Sequence, residues 1–504
     1  MMKFFIFSLV VVLLPLITTT KISSKLSPSL SSSLQTASEN SVWNIVVEME
    51  DGVESVFQKT FAITKLTDFT RDEKASLLGQ ELAAHASTSQ KGVLTLLAQN
   101  KGKRKSGADP PEIWSSWISN SVFVRGADKE LILSLEGAPG VAVITEELVI
   151  ALEVLKEEPV NTLANEWSIE KVGAPFFWAN KSHTGEGILV GHIDSGVRYT
   201  HISLRSNWVA GVGGWFAPRN SSSSLPYETS RSSHGTHTLA TAVGADGIGV
   251  APGAKWMSCL GCFNDTCLGG DLAACGEFMI CPNNPSQPSG CTGVPHIVSN
   301  SWGGKGGQTF YDSVIRSWRA AGIIPVFAAG NSGPNCGSIG SPGDNQDVIS
   351  VGATTQDDVL AAFSSVGPNT RGSNYKPDIV APGARIRSAT AQTDMSFGEL
   401  SGTSMATPHV AGAVALLLSE NPRASYATVR KELLEKAQRE GLRDFVGAPD
   451  CSTAQDWPNH KFGYGRLNLM NVTAGNGAGS AGCLGSGLVL ALFLGVINIV
   501  MVRQ

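Results

Sequence analysis

The stretch Gly187-Ile-Leu-Val-Gly-His-Ile-Asp-Ser-Gly196 is an apolar run that ends on a carboxylate and a turn. Its length and its closing Asp-Ser-Gly predict a buried strand over Gly187–Ile193, with Asp194 at the carboxyl end. Ile297–Ser301 has the same character. Beyond it Tyr311, Val314, Ile315 and Trp318 recur at helical spacing, Gly322 stands where a helix would end, and Ile323–Ala329 reads as a third strand. Such a strand–helix–strand unit implies a right-handed crossover and a parallel sheet. Sites in open α/β sheets lie beyond the carboxyl ends of the strands, where Asp194 and Asn331 both fall. The expected fold is therefore α/β, a parallel sheet flanked by helices.

Three further segments add the groups that acyl transfer needs. Ser233-His-Gly-Thr-His-Thr238 opens a helix with His234, and Ala328-Ala-Gly-Asn-Ser-Gly-Pro334 offers Asn331 on a Gly-rich turn. Ser401-Gly-Thr-Ser-Met-Ala-Thr-Pro-His409 puts Ser404 just before the apolar helix segment Val410–Leu418. Singly, each residue has a plainer reading: a strand-end Asp, a turn-forming Asn, a helix-capping Ser. Together they form a set. A serine hydroxyl is a weak nucleophile and needs an imidazole to take its proton. The imidazole needs a carboxylate on its other nitrogen, and the developing oxyanion needs preorganised donors such as a side-chain amide and a helix-terminal N–H. His237 is read as support for the helix start, and His192, His201, His296 and His409 as structural.

With those residues in view, the sequence resembles the subtilisin-like serine proteases from about Trp167 to Asn471, in the family order Asp…His…Ser. The resemblance includes Gly249-Val-Ala-Pro-Gly-Ala254, Phe363-Ser-Ser-Val-Gly-Pro368 and Lys376-Pro-Asp-Ile-Val-Ala-Pro-Gly383, and Asn300-Ser-Trp-Gly-Gly304 looks most like the bacillopeptidase F branch. It implies Ser404 as nucleophile, His234 as general base, Asp194 as its orienter and Asn331 as oxyanion donor. Ser301, Trp302, Gly303 and Gly304 would be the backbone strand that pairs with an extended substrate. It also implies protein and peptide substrates, a monomer and no cofactor for catalysis; relatives often hold structural calcium, for which no ligand set stands out here. Ser195 replaces the usual Thr, His201 lacks its usual following Pro, and Asn331 is followed by uncharged Ser332, so nothing favours a basic P1 residue.

The chain has 504 residues, too many for one ordinary domain. Lys+Arg 38 against Asp+Glu 43 gives a net charge of −5, which leaves nucleic-acid binding without electrostatic footing. From Val42 to about Ile150 a small α+β pattern precedes the sheet: strand signals at Trp43–Glu48, Ile118–Val124 and Val141–Ile144, helix signals at Arg71–Ala98 and Asp128–Leu135. That resembles a β-α-β-β-α-β, ferredoxin-like arrangement, and by analogy the family's inhibitory propeptide. The expected organisation is a signal peptide over 1–20, a Ser-rich spacer over 21–41, the propeptide over 42–156, the peptidase domain over 157–473, and a small-residue spacer with a hydrophobic tail over 474–504. Maturation is placed within 150–166.

Both ends read as addresses. Lys3, the apolar run Phe4–Ile17 and Thr18–Thr20 have the layout of a secretory signal. Leu488–Val502 reads either as a short transmembrane helix or as a signal exchanged for a glycolipid anchor at Gly475–Gly482, so the body would sit outside the cell, tethered to a membrane. Cys259, Cys262, Cys267, Cys275, Cys281 and Cys291 cluster as a disulfide-stapled surface insertion, with a zinc site as the alternative, and Cys336 reads as half of a disulfide. Sequons at Asn180, Asn220, Asn264 and Asn471 suit export. Three other functions compete: an inactive homologue serving as a binding module, a processing protease for paired basic sites, and a nucleotide-binding enzyme. The last lacks both a phosphate-loop Lys and a Gly-x-Gly-x-x-Gly after a strand.

Overall fold

The computed structural model describes residues 25–470 apart from 39, 64–68, 101–109, 153–154, 160–164, 221, 373, 449 and 453–455. The expected signal peptide and hydrophobic tail lie outside the described residues. Among the latter, no helix is long and apolar enough to cross a membrane.

The amino-terminal part begins with α1 (Pro28–Thr36) and carries β1 (Trp43–Met49), α2 (Glu54–Ile63), α3 (Arg71–Ser89), α4 (Lys91–Asn100), β2 (Glu112–Ser116), β3 (Ser121–Ala127), α5 (Lys129–Glu136) and β4 (Val141–Glu146). Its sheet is antiparallel, in the order β2-β3-β1-β4, as a β-α-β-β-α-β unit requires. Three expectations change. The strand expected at Ile118–Val124 begins three residues later, as β3, because the chain turns at residues 117–120 to form the β2–β3 hairpin. The long helix expected over Arg71–Ala98 breaks at Gln90, whose buried amide donates to the Ser116 carbonyl and to Asn120 Oδ1. The Ser-rich stretch is no mere spacer: Leu30 and Leu34 of α1 are buried in the core of this unit, and Trp43 Nε1 donates to Ser33 Oγ.

The remaining strands are β5 (Val149–Ala151), β6 (Leu155–Pro159), β7 (Leu189–Asp194), β8 (Trp215–Phe216), β9 (Lys255–Leu260), β10 (Cys262–Phe263), β11 (Thr266–Leu268), β12 (Ile297–Asn300), β13 (Ile324–Ala328), β14 (Ile349–Thr354), β15 (Ile379–Pro382), β16 (Ile386–Ala389) and β17 (Phe397–Ser401). The helices are α6 (Trp167–Val172), α7 (Ala174–Lys181), α8 (His234–Val243), α9 (Gly269–Ile280), α10 (Asp312–Ala321), α11 (Thr403–Glu420) and α12 (Tyr426–Glu435). Seven strands form one wholly parallel sheet in the order β15-β14-β13-β12-β7-β9-β8. The chain leaves β7 for β9 on one side and later returns to β12 on the other. The switch point therefore lies between β7 and β12, where a site is expected.

Helices α8 and α11 share one hydrophobic cluster with the sheet. The second cluster unites Phe278, Tyr311, Val314 and Trp318 of the peptidase part with Val56, Phe57, Leu78 and Leu82 of the amino-terminal part. The two parts thus share a core. The cysteine cluster is not simply a surface insertion, because β9 is a sheet strand and every residue of α9 is buried. Cys259–Cys275 ties that strand to that helix, Cys262–Cys267 closes the β10–β11 hairpin, Cys281–Cys291 closes the loop after α9, and Cys336 pairs with Cys451. With each of these sulfurs in a disulfide, the zinc alternative has no ligands from this cluster.

Candidate active site

Asp194 ends β7 and is fully buried. Its Oδ1 accepts from His234 Nδ1 at 2.7 Å and from the Ser195 backbone N–H at 2.7 Å, and its Oδ2 accepts from Thr238 Oγ1 at 3.2 Å. Two glycines allow this approach. Gly196 has φ +105°, and a Cβ there would lie 1.9 Å from the Tyr227 carbonyl oxygen. A Cβ on Gly235 would lie 2.1 Å from the Gly196 carbonyl oxygen, so the first turn of α8 can rest against the Asp194 turn only without side chains.

Burial alone would raise the Asp194 carboxyl. His234, His192 and the Ser195 N–H outweigh it and hold Asp194 below the ordinary carboxylate value. Burial likewise opposes protonation of His234, but Asp194 first, then Glu228 and Asp265, carry it above the ordinary imidazole value. His192 lies 3.6 Å from Asp194 Oδ2, yet burial pushes it down to about 4. It remains a neutral sheet residue bonded to Ser258 Oγ and Thr238 Oγ1. His237 bonds the carbonyls of Ile386 and Gly398 and is pushed down to about 3 by burial.

Ser404 was expected just before a helix; it lies within the first turn of α11, which begins at Thr403. Every α11 residue through Ser419 is buried, as befits a helix that is apolar all round. Its amino terminus brings partial positive charge and unpaired N–H groups to Ser404. Asn331 follows β13 on the Gly-rich turn, and its Oδ1 accepts from both the N–H and the hydroxyl of Thr403. That fixes the amide orientation and leaves Nδ2 as the donor. The structure does not join Ser404 to His234: Ser404 Oγ donates to the Ser301 carbonyl at 2.9 Å, while His234 Nε2 is buried without a partner.

A cavity of about 420 Å3 contains Ser404 and Asn331. Ser301, Trp302, Gly303 and Gly304 line it too. Trp302 contributes backbone only, because its side chain is 2% exposed and packs edge-on against Tyr311 and Phe327. β5 lines the cavity beside them, held by a strand that the motifs did not reveal. β11 pairs antiparallel with β5, in the register Thr266 to Ala151, Cys267 to Ile150 and Leu268 to Val149. Bonds from Leu152 N–H to the Asp265 carbonyl and from Gly269 N–H to the Leu148 carbonyl extend the pairing at both ends. Val149–Leu152 thus lines the same cavity as Ser404. Farther along, β6 pairs antiparallel with β17, the strand that leads into Ser404. A Thr-Cys-Leu strand has too little pattern to announce itself.

Comparison with known proteins agrees with this geometry. The model of the subtilase family matches residues 185–465. Bacillopeptidase F of Bacillus subtilis (strain 168) is 32% identical over 444 residues, covering 80% of this chain and 29% of that protein. Subtilisin E of the same organism is 31% identical over 326 residues, 64% of this chain and 76% of its own. Subtilisin Savinase of Lederbergia lenta is 31% identical over 291 residues, 56% of this chain and 94% of its own. On sheet topology and family match alike, the chain belongs to the subtilase family and is a subtilisin-like serine endopeptidase.

Proposed function

We propose that this chain is the precursor of an exported serine endopeptidase in which Ser404 is the nucleophile, His234 the general base, Asp194 its orienter and Asn331 the oxyanion donor. The part preceding Leu155 acts as its inhibitor until it is cut. The observation that carries this reading is the run Leu148–Leu152, laid as an extra strand along Asp265–Gly269 in the cavity that holds Ser404. A substrate would lie the same way, its backbone bonds giving affinity and its alternate side chains specificity. Because β6 resumes beside β17, the bond to be cut falls between Leu152 and Leu155, inside the expected range.

In the proposed reaction the Ser404 hydroxyl turns from the Ser301 carbonyl to His234 Nε2. It gives up its proton there and attacks the scissile carbonyl carbon. Asn331 Nδ2 and the Ser404 N–H stabilise the oxyanion. The imidazolium, held by Asp194, then protonates the departing amine, and water releases the acyl group with His234 again as base. The scheme draws on no cofactor. Ala328, Gly330, Ile339 and Gly340 line the cavity, and among the described residues no carboxylate does, which supports an apolar P1 residue over paired basic sites. The four disulfides support an oxidising, exported setting. Attachment through the hydrophobic tail belongs to the same proposal.

Intact mass and amino-terminal sequencing of wild type beside Ser404→Ala, each treated with a serine-directed phosphonate, test the reading. The wild type should start between residues 153 and 155 and carry label, while the variant stays uncut and unlabelled. Equal processing and equal peptide hydrolysis by both would refute it; an uncut, unlabelled wild type that external proteolysis does not activate would favour the inactive binding module.

A further inference from the structure

Helix α8, which carries His234, has no cap of its own. Ser233 sits at φ +61° and makes no side-chain cap bond. Two groups from elsewhere take the first-turn donors: Ser195 Oγ accepts from the Gly235 N–H at 2.9 Å, and Glu228 Oε2 accepts from the Thr236 N–H at 2.8 Å. Glu228 lies in a Ser-rich loop with no motif around it. Its Oε1 accepts from the N–H groups of Thr229 at 3.0 Å and Ser230 at 2.9 Å, and its Oε2 also accepts from Thr236 Oγ1 at 2.8 Å. The Glu228 backbone bridges Gly196, and Thr229 N–H and Oγ1 both donate to the Ser195 carbonyl. One carboxylate thereby joins the turn that presents Asp194 to the helix that presents His234.

We infer that Glu228 is a positioning residue for the catalytic imidazole: it locks the Asp194–Ser195–Gly196 turn to the first turn of α8 and places a carboxylate beside His234. The inference rests on the triad reading above. The four bonds that this carboxylate accepts favour its ionised form. Burial nonetheless pushes Glu228 up to about 7, so its charge forms over the range in which His234 is expected to titrate. The other groups that face His234 are Asp194 and His192 from β7, His237 from α8 and Asp265 from the β10–β11 hairpin. Both histidines stay neutral, so the supporting charge comes from Asp194, Glu228 and Asp265.

The test compares mature wild type, Glu228→Gln and Glu228→Asp by kcat and KM across pH, with phosphonate titration counting competent sites and Ser404→Ala run alongside. In Glu228→Gln, kcat per competent site should fall between ~10- and ~100-fold, the scale of a small misplacement of a catalytic group, with KM held within about twofold. Its acid limb should move to lower pH, because loss of a negative charge makes the imidazolium easier to deprotonate. Glu228→Asp should return the limb towards wild type while kcat stays reduced. A folded Glu228→Gln with wild-type kcat, or with low kcat and an unmoved acid limb, overturns the inference while the triad stands. Should Glu228→Gln yield no titratable sites, Glu228→Asp decides alone: reduced kcat with the limb in place supports the assignment, and unchanged kcat overturns it. A Ser404→Ala protein as active as wild type overturns both readings.

Discussion

Ser404 and Ser301 are bonded reciprocally: Ser404 Oγ donates to the Ser301 carbonyl at 2.9 Å, and Ser301 Oγ donates to the Ser404 carbonyl at 2.8 Å. This arrangement coincides with a strand of the same chain in the cleft and leaves His234 Nε2 without a proton to take. A serine that is not hydrogen-bonded to its base lacks the ~100-fold or greater benefit of general-base assistance. In a time course with a serine-directed phosphonate, label should therefore appear on the cut form alone. Label on full-length protein at a comparable rate would count against a silenced precursor.

Asn331→Leu keeps the volume of the side chain and removes its donor. The loss should fall on kcat, by ~100- to ~1000-fold, with KM nearly unchanged, because in the proposed scheme the amide contacts the oxyanion and not the ground-state carbonyl. Steady-state kinetics on a chromogenic peptide would read it, and an equal loss in KM would move Asn331 from transition-state stabilisation to substrate binding.

His234 must be neutral to accept a proton. Its folded value lies above the ordinary imidazole value, with burial opposing the shift and Asp194 driving it. The acid limb of kcat/KM should thus lie above the ordinary ~6.5 of an exposed histidine. A limb below that value would mean that burial outweighs the Asp194 charge.

Glu277 of α9 accepts from Ser116 Oγ at 2.9 Å and from the Trp117 N–H at 2.8 Å, both in the amino-terminal part, and burial pushes it up to about 8. A carboxyl raised by an interface is protonated there and ionised once exposed. Association of the severed amino-terminal part with the enzyme should therefore be strongest near pH 4.5 and weaken steadily as pH rises towards 8, with no further loss from this group beyond. Glu277→Gln, which keeps an acceptor oxygen and cannot ionise, should flatten that dependence. Inhibition constants measured across the range would settle it; an equally steep profile in the variant would place the titration elsewhere.

Cys262–Cys267 closes the hairpin whose second strand pairs with Val149–Ala151. Opening it in a Cys262→Ser/Cys267→Ser enzyme frees the strand that an extended substrate would join. KM should rise several-fold while kcat changes little, since Asp194, His234 and Ser404 stand on β7, α8 and α11. A proportionate fall in kcat would show that the hairpin also orders the chemistry.

The sequence made the sheet legible wherever a buried strand ended on a chemical group. Asp194 and Asn331 lie at strand ends because the apolar runs before them have one stable environment, the middle of a parallel sheet. The apolar pattern marks a helix only from Val410, whereas α11 begins at Thr403 and takes in Ser404, since Thr403–His409 do not look helical until the whole of α11 is seen buried. Glu228 gave no signal: a lone acid among serines is ordinary surface composition, and its significance lies in contacts with Gly196 and Thr236 that only the folded chain creates. β11 and α1 were hidden for a related reason. Three residues carry no periodicity, and Leu30 and Leu34 are too few to lift a Ser-rich stretch above its composition.

On the proposed reading, β5 in the cleft and β6 beside β17 make the first peptide bond offered to Ser404 one of the same molecule. Such a cut is first order: its half-life should not change on dilution, and an active chain should not process a Ser404→Ala chain at a matching rate. The concentration that the site sees is set by the length of the connection, so extending the chain before β5 with a flexible insert should slow the cut gently, whereas shortening it below its reach should stop it. Proteolysis in this protein would thus start at a rate written into chain length, before any substrate has been met.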